Sequence, residues 1–166
     1  LQNINERVRV GLEDISDEDL NRLLEYTQRK AVEWAIENEM PSDAPLTYFE
    51  MMTAVALIAF YEAKVDLAIM EVGLGGRLDA TNIISPLVTA IVSIDYDHTD
   101  VLGSDLASIA AEKAGIVKKG IPIILGNIPL EGFRSIRLIA DNKEAPIYSL
   151  QEDFLVKTNQ EGVFSW

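Results

Sequence analysis

Apolar residues recur along this chain in two different rhythms. Between residues 17 and 38, Leu20, Leu23, Leu24, Ala31, Trp34 and Ala35 fall three and four positions apart, the pattern of a helix with one apolar face. Ser16 followed by Asp17, Glu18 and Asp19 suits its start, because a side-chain oxygen and negative charge both satisfy free backbone amides. Pro41, Ser42 and Pro45 then break the pattern. Thr47 and Glu50 have capping-box spacing and open a second helix to about Lys64, apolar nearly all round and therefore expected to be buried. Ahead of both, residues 7 to 10 alternate and read as a short strand.

From residue 65 the rhythm changes to short, continuous apolar runs. Val65 to Val72, Leu87 to Ile94, Ile121 to Leu125 and Pro146 to Leu150 read as strands, with helices from Ser104 to about Gly115 and over 130 to 142 between them. Runs of this kind suit parallel strands covered on both faces, whereas half-exposed antiparallel strands alternate. Strand and helix in turn predict an α/β fold: a doubly wound, mostly parallel sheet flanked by helices. The last sixteen residues read as strand pairs joined near Asn159 and Gly162, and no repeat or low-complexity segment interrupts the chain.

Length and composition narrow the classes. The 166 residues suffice for one domain with a real core, and one domain is the expected count. A net charge of -13, from 27 acidic and 14 basic residues, argues against a broad nucleic-acid or anionic-membrane surface, since phosphate binding relies on Lys and Arg. A nucleotide held by backbone amides and a metal stays compatible with it. Without cysteine there is neither a disulfide framework nor a thiol nucleophile, which fits a reducing compartment. The apolar run at 51 to 60 is too short to span a bilayer and no signal pattern opens the chain, so a soluble cytoplasmic protein is expected. The chain starts at Leu1 and stops at Trp166 inside an expected strand, which reads as part of something longer.

Three features could carry chemistry. The run Val65 to Val72 delivers Glu71 to a turn with three glycines, Gly73, Gly75 and Gly76, and in open parallel sheets ligands bind beyond such strand ends. The loop fails the dinucleotide fingerprint, having Leu78 at its sixth position, and no G-x-x-x-x-G-K-[ST] phosphate loop occurs in the chain. A tight turn needing positive φ explains the glycines equally well, although Arg77, Asp79, Thr81 and Asn82 make this strand end dense in polar groups. His98, the only histidine, follows the next run. It reads either as a surface histidine among carboxylates or, with Glu71, as a pair able to hold magnesium or manganese. Asp95, Asp97 and Asp100 offer a rival carboxylate cluster that lacks the glycine and closing glutamate of a calcium loop. Lys113 shares a helix face with Leu106, Ile109 and Ala110, so it either snorkels from the helix end or is buried and then paired, deprotonated or modified.

Taken together, EVGLGGRLDATN (Glu71 to Asn82), DHTDVLG (Asp97 to Gly103), EKAGIVKKGIP (Glu112 to Pro122) and the opening LQNINERVRV resemble the folylpolyglutamate synthase and dihydrofolate synthase family of the Mur ligase superfamily. The resemblance covers residues 1 to 125 and is weak over 126 to 166. It implies the central ATP-binding domain of a Mur-type ligase, without its N-terminal P-loop segment or its C-terminal glutamate-ligase domain. It also implies joining of a folate or dihydropteroate carboxylate to the amine of glutamate, with ATP and Mg2+, through an acyl phosphate.

By the same resemblance Glu71, His98 and Lys113 are catalytic residues and metal ligands, Lys113 as a carbamate whose anionic oxygen lies near the metal. Thr47, Phe49, Asp79 and Ala80 match residues lining the pteridine side of the substrate pocket. With the family's P-loop upstream and its C-terminal domain downstream, the chain by itself is expected to be inactive. An unpaired strand edge would favour self-association. Other readings are a Mur-type ligase for a cell-wall precursor, and a non-catalytic metal- or ligand-binding domain.

Overall fold

The computed structural model describes residues 2–41, 46–158 and 164–165. The chain divides into two compact units, Leu1–Glu71 and Val72–Trp166.

In the first unit, a 3-10 turn at Ile4–Arg7 leads into a minimal hairpin of β1 (Arg9–Val10) and β2 (Glu13–Asp14). The alternating stretch is therefore half turn and half strand. Helix α1 (Asp17–Glu37) starts where expected: the Ser16 side chain accepts from the Asp19 amide. Helix α2 (Tyr48–Ala63) starts on the capping box, the Thr47 amide donating to Glu50 and the Glu50 amide to the Thr47 hydroxyl. Lys64, in left-handed conformation, ends it. The two helices bury Leu20, Leu23, Met52, Val55 and Ala59 with Val8. Each large aliphatic side chain so buried contributes about 1.5–3 kcal/mol. Outside the core, Arg22 of α1 pairs with Glu62 of α2 at 2.6 Å. Residues 51 to 60 are all buried or half-buried, in keeping with an all-round apolar helix, whereas Trp34, expected on the buried face of α1, is 56% exposed. Of the expected helix-breaking residues, Ser42 and Pro45 lie outside the described residues.

Residues 65 to 72 depart from expectation. They carry no strand ladder, and Leu67 and Ile69 are 65% and 88% exposed. An extended run becomes a strand only when a neighbour takes up its amides and carbonyls, and among the described residues this run has none.

The second unit is the parallel sheet. Strands β3 (Thr89–Ser93), β4 (Ile123–Asn127) and β5 (Ile147–Ser149) lie in the order β3-β4-β5, with Ile91 opposite Leu125 and Leu125 opposite Ser149. After a one-turn helix α3 (Thr99–Leu102), α4 (Leu106–Lys113) and α5 (Leu130–Asn142) provide the crossovers and pack on one another. Ile91, Ile109, Val117, Ile123, Leu125 and Ile136 are buried between helices and sheet. Helix α4 is shorter than expected because Asp105, not Ser104, caps it, its carboxylate accepting from the Ser108 amide at 2.8 Å. A 3-10 turn, Ala114–Ile116, continues from its end. At the chain's end β6 (Lys157–Thr158) and β7 (Phe164–Ser165) pair antiparallel, while Asn159 and Gly162, the expected joint, lie outside the described residues.

One glycine makes the sheet possible. A Cβ built on Gly126 would stand 2.1 Å from the Val92 carbonyl oxygen on the neighbouring strand. That oxygen belongs to backbone and has nowhere to go. Replacing Gly126 with Ala is expected to destabilise the protein by about 2 kcal/mol or more, read as a lower urea midpoint at unchanged slope; an unaltered midpoint would refute this reading of the contact.

Candidate functional site

The glycine turn, the outer strand β3 and the end of α4 enclose a cavity of about 270 Å³. Residues 72 to 75 form one wall and residues 90 to 93 another; Asp97, His98 and Lys113 bring the charged and titratable groups. Gly75 has φ +67, and its missing side chain leaves room for Leu102. The turn explanation for that glycine therefore holds.

Why the loop stays closed is visible in Asp79. One carboxylate oxygen accepts from the Gly73 and Leu74 amides at 3.0 Å each. The other accepts from the Thr81 amide at 2.9 Å and the Thr81 hydroxyl at 2.6 Å. Burial pushes this carboxyl up, but the Thr81 hydroxyl and the three amides outweigh it and hold it below the usual aspartate range. The amides that a phosphate would need at Gly73 and Leu74 are occupied by an internal anion.

Behind the loop lies the end of α4. The Arg77 amide donates to the Glu112 carbonyl at 3.0 Å, and its guanidinium contacts the Glu112 carboxylate at 3.1 Å. Asn82 donates from one nitrogen to the carbonyls of Arg77, at 3.1 Å, and Gly115, at 3.2 Å. The dense polar run after the glycines is spent largely on holding itself and the helix end.

The expected site residues divide between the units. Lys113 is half-buried at the last position of α4 and lines the cavity, and its ammonium makes no hydrogen bond or ion pair among the described residues. His98 is exposed on the same cavity, 3.6 Å from the Asp97 carboxylate. Its φ of +49 lies in the left-handed region, a conformation costing about 1–2 kcal/mol for a residue with a side chain. Such strain concentrates at functional sites. Glu71 is exposed and ends the first unit, one position before Val72 of the cavity wall. Thr47, exposed, and Phe49, half-buried, open α2 in the first unit; Asp79 and Ala80, both half-buried, belong to the second.

No group of three or more His, Asp or Glu residues close enough to hold a metal exists among the described residues. On the cavity the donors are one imidazole and one carboxylate, beside a lysine that repels a cation as an ammonium. The set suits a hard divalent ion only if Lys113 carries a carbamate, which replaces the positive charge with anionic oxygen. Asp97, in sequence a member only of the rival acidic cluster, lines the cavity, and its place next to His98 is the signal that points there.

The dihydrofolate synthase/folylpolyglutamate synthase of Bacillus subtilis is 42% identical over 160 residues, 96% of this chain and 36% of the relative. A folylpolyglutamate synthase solved with AMPPCP and folate superposes with a TM-score of 0.86 at 31% identity, over 96% of this chain and 42% of that one. Escherichia coli FolC in complex with DHPP and ADP gives 0.79 at 36% identity, over 96% and 36%. No protein-family model matches the chain. The parallel sheet flanked by helices is an α/β domain of the Mur-ligase type. Over the length it spans, the chain belongs to the folylpolyglutamate synthase and dihydrofolate synthase family. It spans about a third of the length of the Bacillus relative. No described helix is long and apolar enough to cross a membrane.

Asp79 generates a testable consequence. Its depressed carboxyl adds stability that is fully present above about pH 4, the unfolded aspartate value, and lost as pH falls through the folded value. Replacing Asp79 with Asn leaves amide donors facing an amide, an expected loss of about 1–3 kcal/mol. Urea midpoints at pH 7 and pH 3 should differ less in the variant than in the wild type; an equal difference would assign the acid sensitivity elsewhere.

Proposed function

We propose that this chain forms the central part of an ATP-dependent ligase that joins glutamate to folate or dihydropteroate. Supporting the reading is one observation above the others: the cavity that gathers the glycine turn, His98 and Lys113 lies in a chain similar to a synthase solved with AMPPCP and folate. In this reading ATP phosphorylates the substrate carboxylate, and the glutamate amine attacks the acyl phosphate and releases phosphate. Magnesium, when bound, offsets the charge that develops on phosphoryl and acyl oxygens. By the family resemblance Glu71 and His98 would each serve as its ligands, and Lys113, as a carbamate, would supply anionic oxygen.

In the second unit Asp79 and Ala80 serve the pteridine side of the substrate site; in the first, Thr47 and Phe49 are assigned to pteridine binding by the family resemblance. Asp79 takes part chiefly by fixing the loop, because both its oxygens are already engaged. The whole chain is one partial Mur-ligase domain, and a cytoplasmic enzyme fits its acidic, cysteine-free composition. With no phosphate loop pattern in the 166 residues, the chain by itself does not turn over ATP.

Two measurements test this. The isolated 166-residue chain, given ATP, magnesium, glutamate and dihydropteroate or folate, is expected to form no product; a steady rate would overturn that part. In the full-length protein, Glu71→Ala or His98→Ala is expected to lower kcat about 10²-fold, the usual effect of removing one group that stabilises developing charge. Unchanged magnesium dependence and rate in both variants would remove these residues from the site.

A further inference from the structure

The last carbonyls of a helix have no partner within it, and what satisfies them fixes where the helix end lies. At the end of α4 the partners come from the glycine loop, more than thirty residues earlier. The Glu112 carbonyl receives the Arg77 amide, and the Gly115 carbonyl, in the turn that follows, receives the Asn82 side chain. The same Asn82 nitrogen also reaches the Arg77 carbonyl, so one side chain clasps both partners of the junction. Its own carbonyl accepts from Lys118 at 2.8 Å.

Shape reinforces the bonding. A Cβ on Gly76 would stand 2.7 Å from the Lys113 carbonyl, and one on Gly115 would stand 2.3 Å from the Arg77 Cα. Lys113 thus sits on the segment that the loop grips, while residues 73 to 75 of the same loop form the opposite wall of its cavity.

We propose that Asn82 and the Arg77–Glu112 pair are positioning residues, a clasp that sets Lys113 at its distance from the glycine wall of the cavity. The importance of that distance rests on the role proposed above for Lys113; the clasp itself does not. Neither Asn82 nor Arg77 lines the cavity, and both act through the backbone on either side of it.

Competitive acetylation of the 166-residue chain, read by peptide mass spectrometry, reports the placement directly. The ratio of Lys113 to Lys119 labelling is the observable, Lys119 being exposed and outside the clasp. N82A and R77E are each expected to raise it about threefold or more, because local opening exposes a half-buried amine. The swapped pair R77E/E112R should return the ratio to within about 1.5-fold of wild type, as restored coupling requires. D105A, which loosens the opposite end of α4, should leave it within the same margin.

An unchanged ratio in R77E, failure of the swap to restore it, or an equal rise in D105A would each overturn the clasp. Should N82A fail to fold, R77E and its swap decide alone, since both side chains are at least partly exposed. No nucleotide, metal or turnover enters the measurement. A full-length protein without ligase activity would therefore refute the proposed function and leave the clasp standing.

Discussion

The second unit depends on a contact between two stretches of backbone, the loop at Gly76–Arg77 and the end of α4 at Glu112–Gly115. At Gly76 and Gly115 there is no room for a side chain, since a Cβ at either would meet the backbone of the other segment. The result is a junction with little freedom to adjust: backbone shifts are costly in close-packed interiors, whereas side chains change rotamer readily. Two parts of the cavity, the glycine wall and Lys113, take their positions from this junction. The glycine wall leads into it from one direction, Lys113 from the other.

Electrostatics then fills in what geometry leaves. Most charged pairs among the described residues are solvent-exposed and contribute little individually. Asp79 differs because its partners are backbone amides and one hydroxyl, all within its own loop, and none is a mobile cation. Such bonds are short, fixed and indifferent to neighbouring surface charge. A chain of net charge -13 gains from settling one carboxylate in this way.

Local rules in the sequence accounted for the elements whose cause is local. Ser16, and Thr47 with Glu50, start helices where side-chain oxygens meet free amides three residues on, and both starts are found. The parallel strands followed from unbroken apolar runs. The run at 65 to 72 has the same composition and yet no ladder, since strand formation needs a partner that composition does not supply. Ser104 and Asp105 are both competent caps, and periodicity cannot separate neighbours; the Ser108 hydroxyl, which bonds the Asp105 carboxylate, tips the choice. For the site, strand ends pair His98 with Glu71, and only the family resemblance adds Lys113; the cavity is lined by His98 and Lys113, with Glu71 one position outside its wall. What the residues could not reveal is that Arg77 and Asn82 reach 35 and 33 positions along the chain to the helix end. Polar groups after a glycine turn look alike whether they face a ligand or their own scaffold.

A loop that carries its own anion does not have to recruit one. In many phosphate-binding turns the amides are ordered by the ligand, and the empty loop adapts or competes for whatever anion the solvent offers. Here the Asp79 carboxylate stands in that place as part of the chain, tethered five and six residues from the amides it holds. The turn is consequently set at the moment of folding, and buffer phosphate or sulfate finds no vacancy at Gly73 and Leu74.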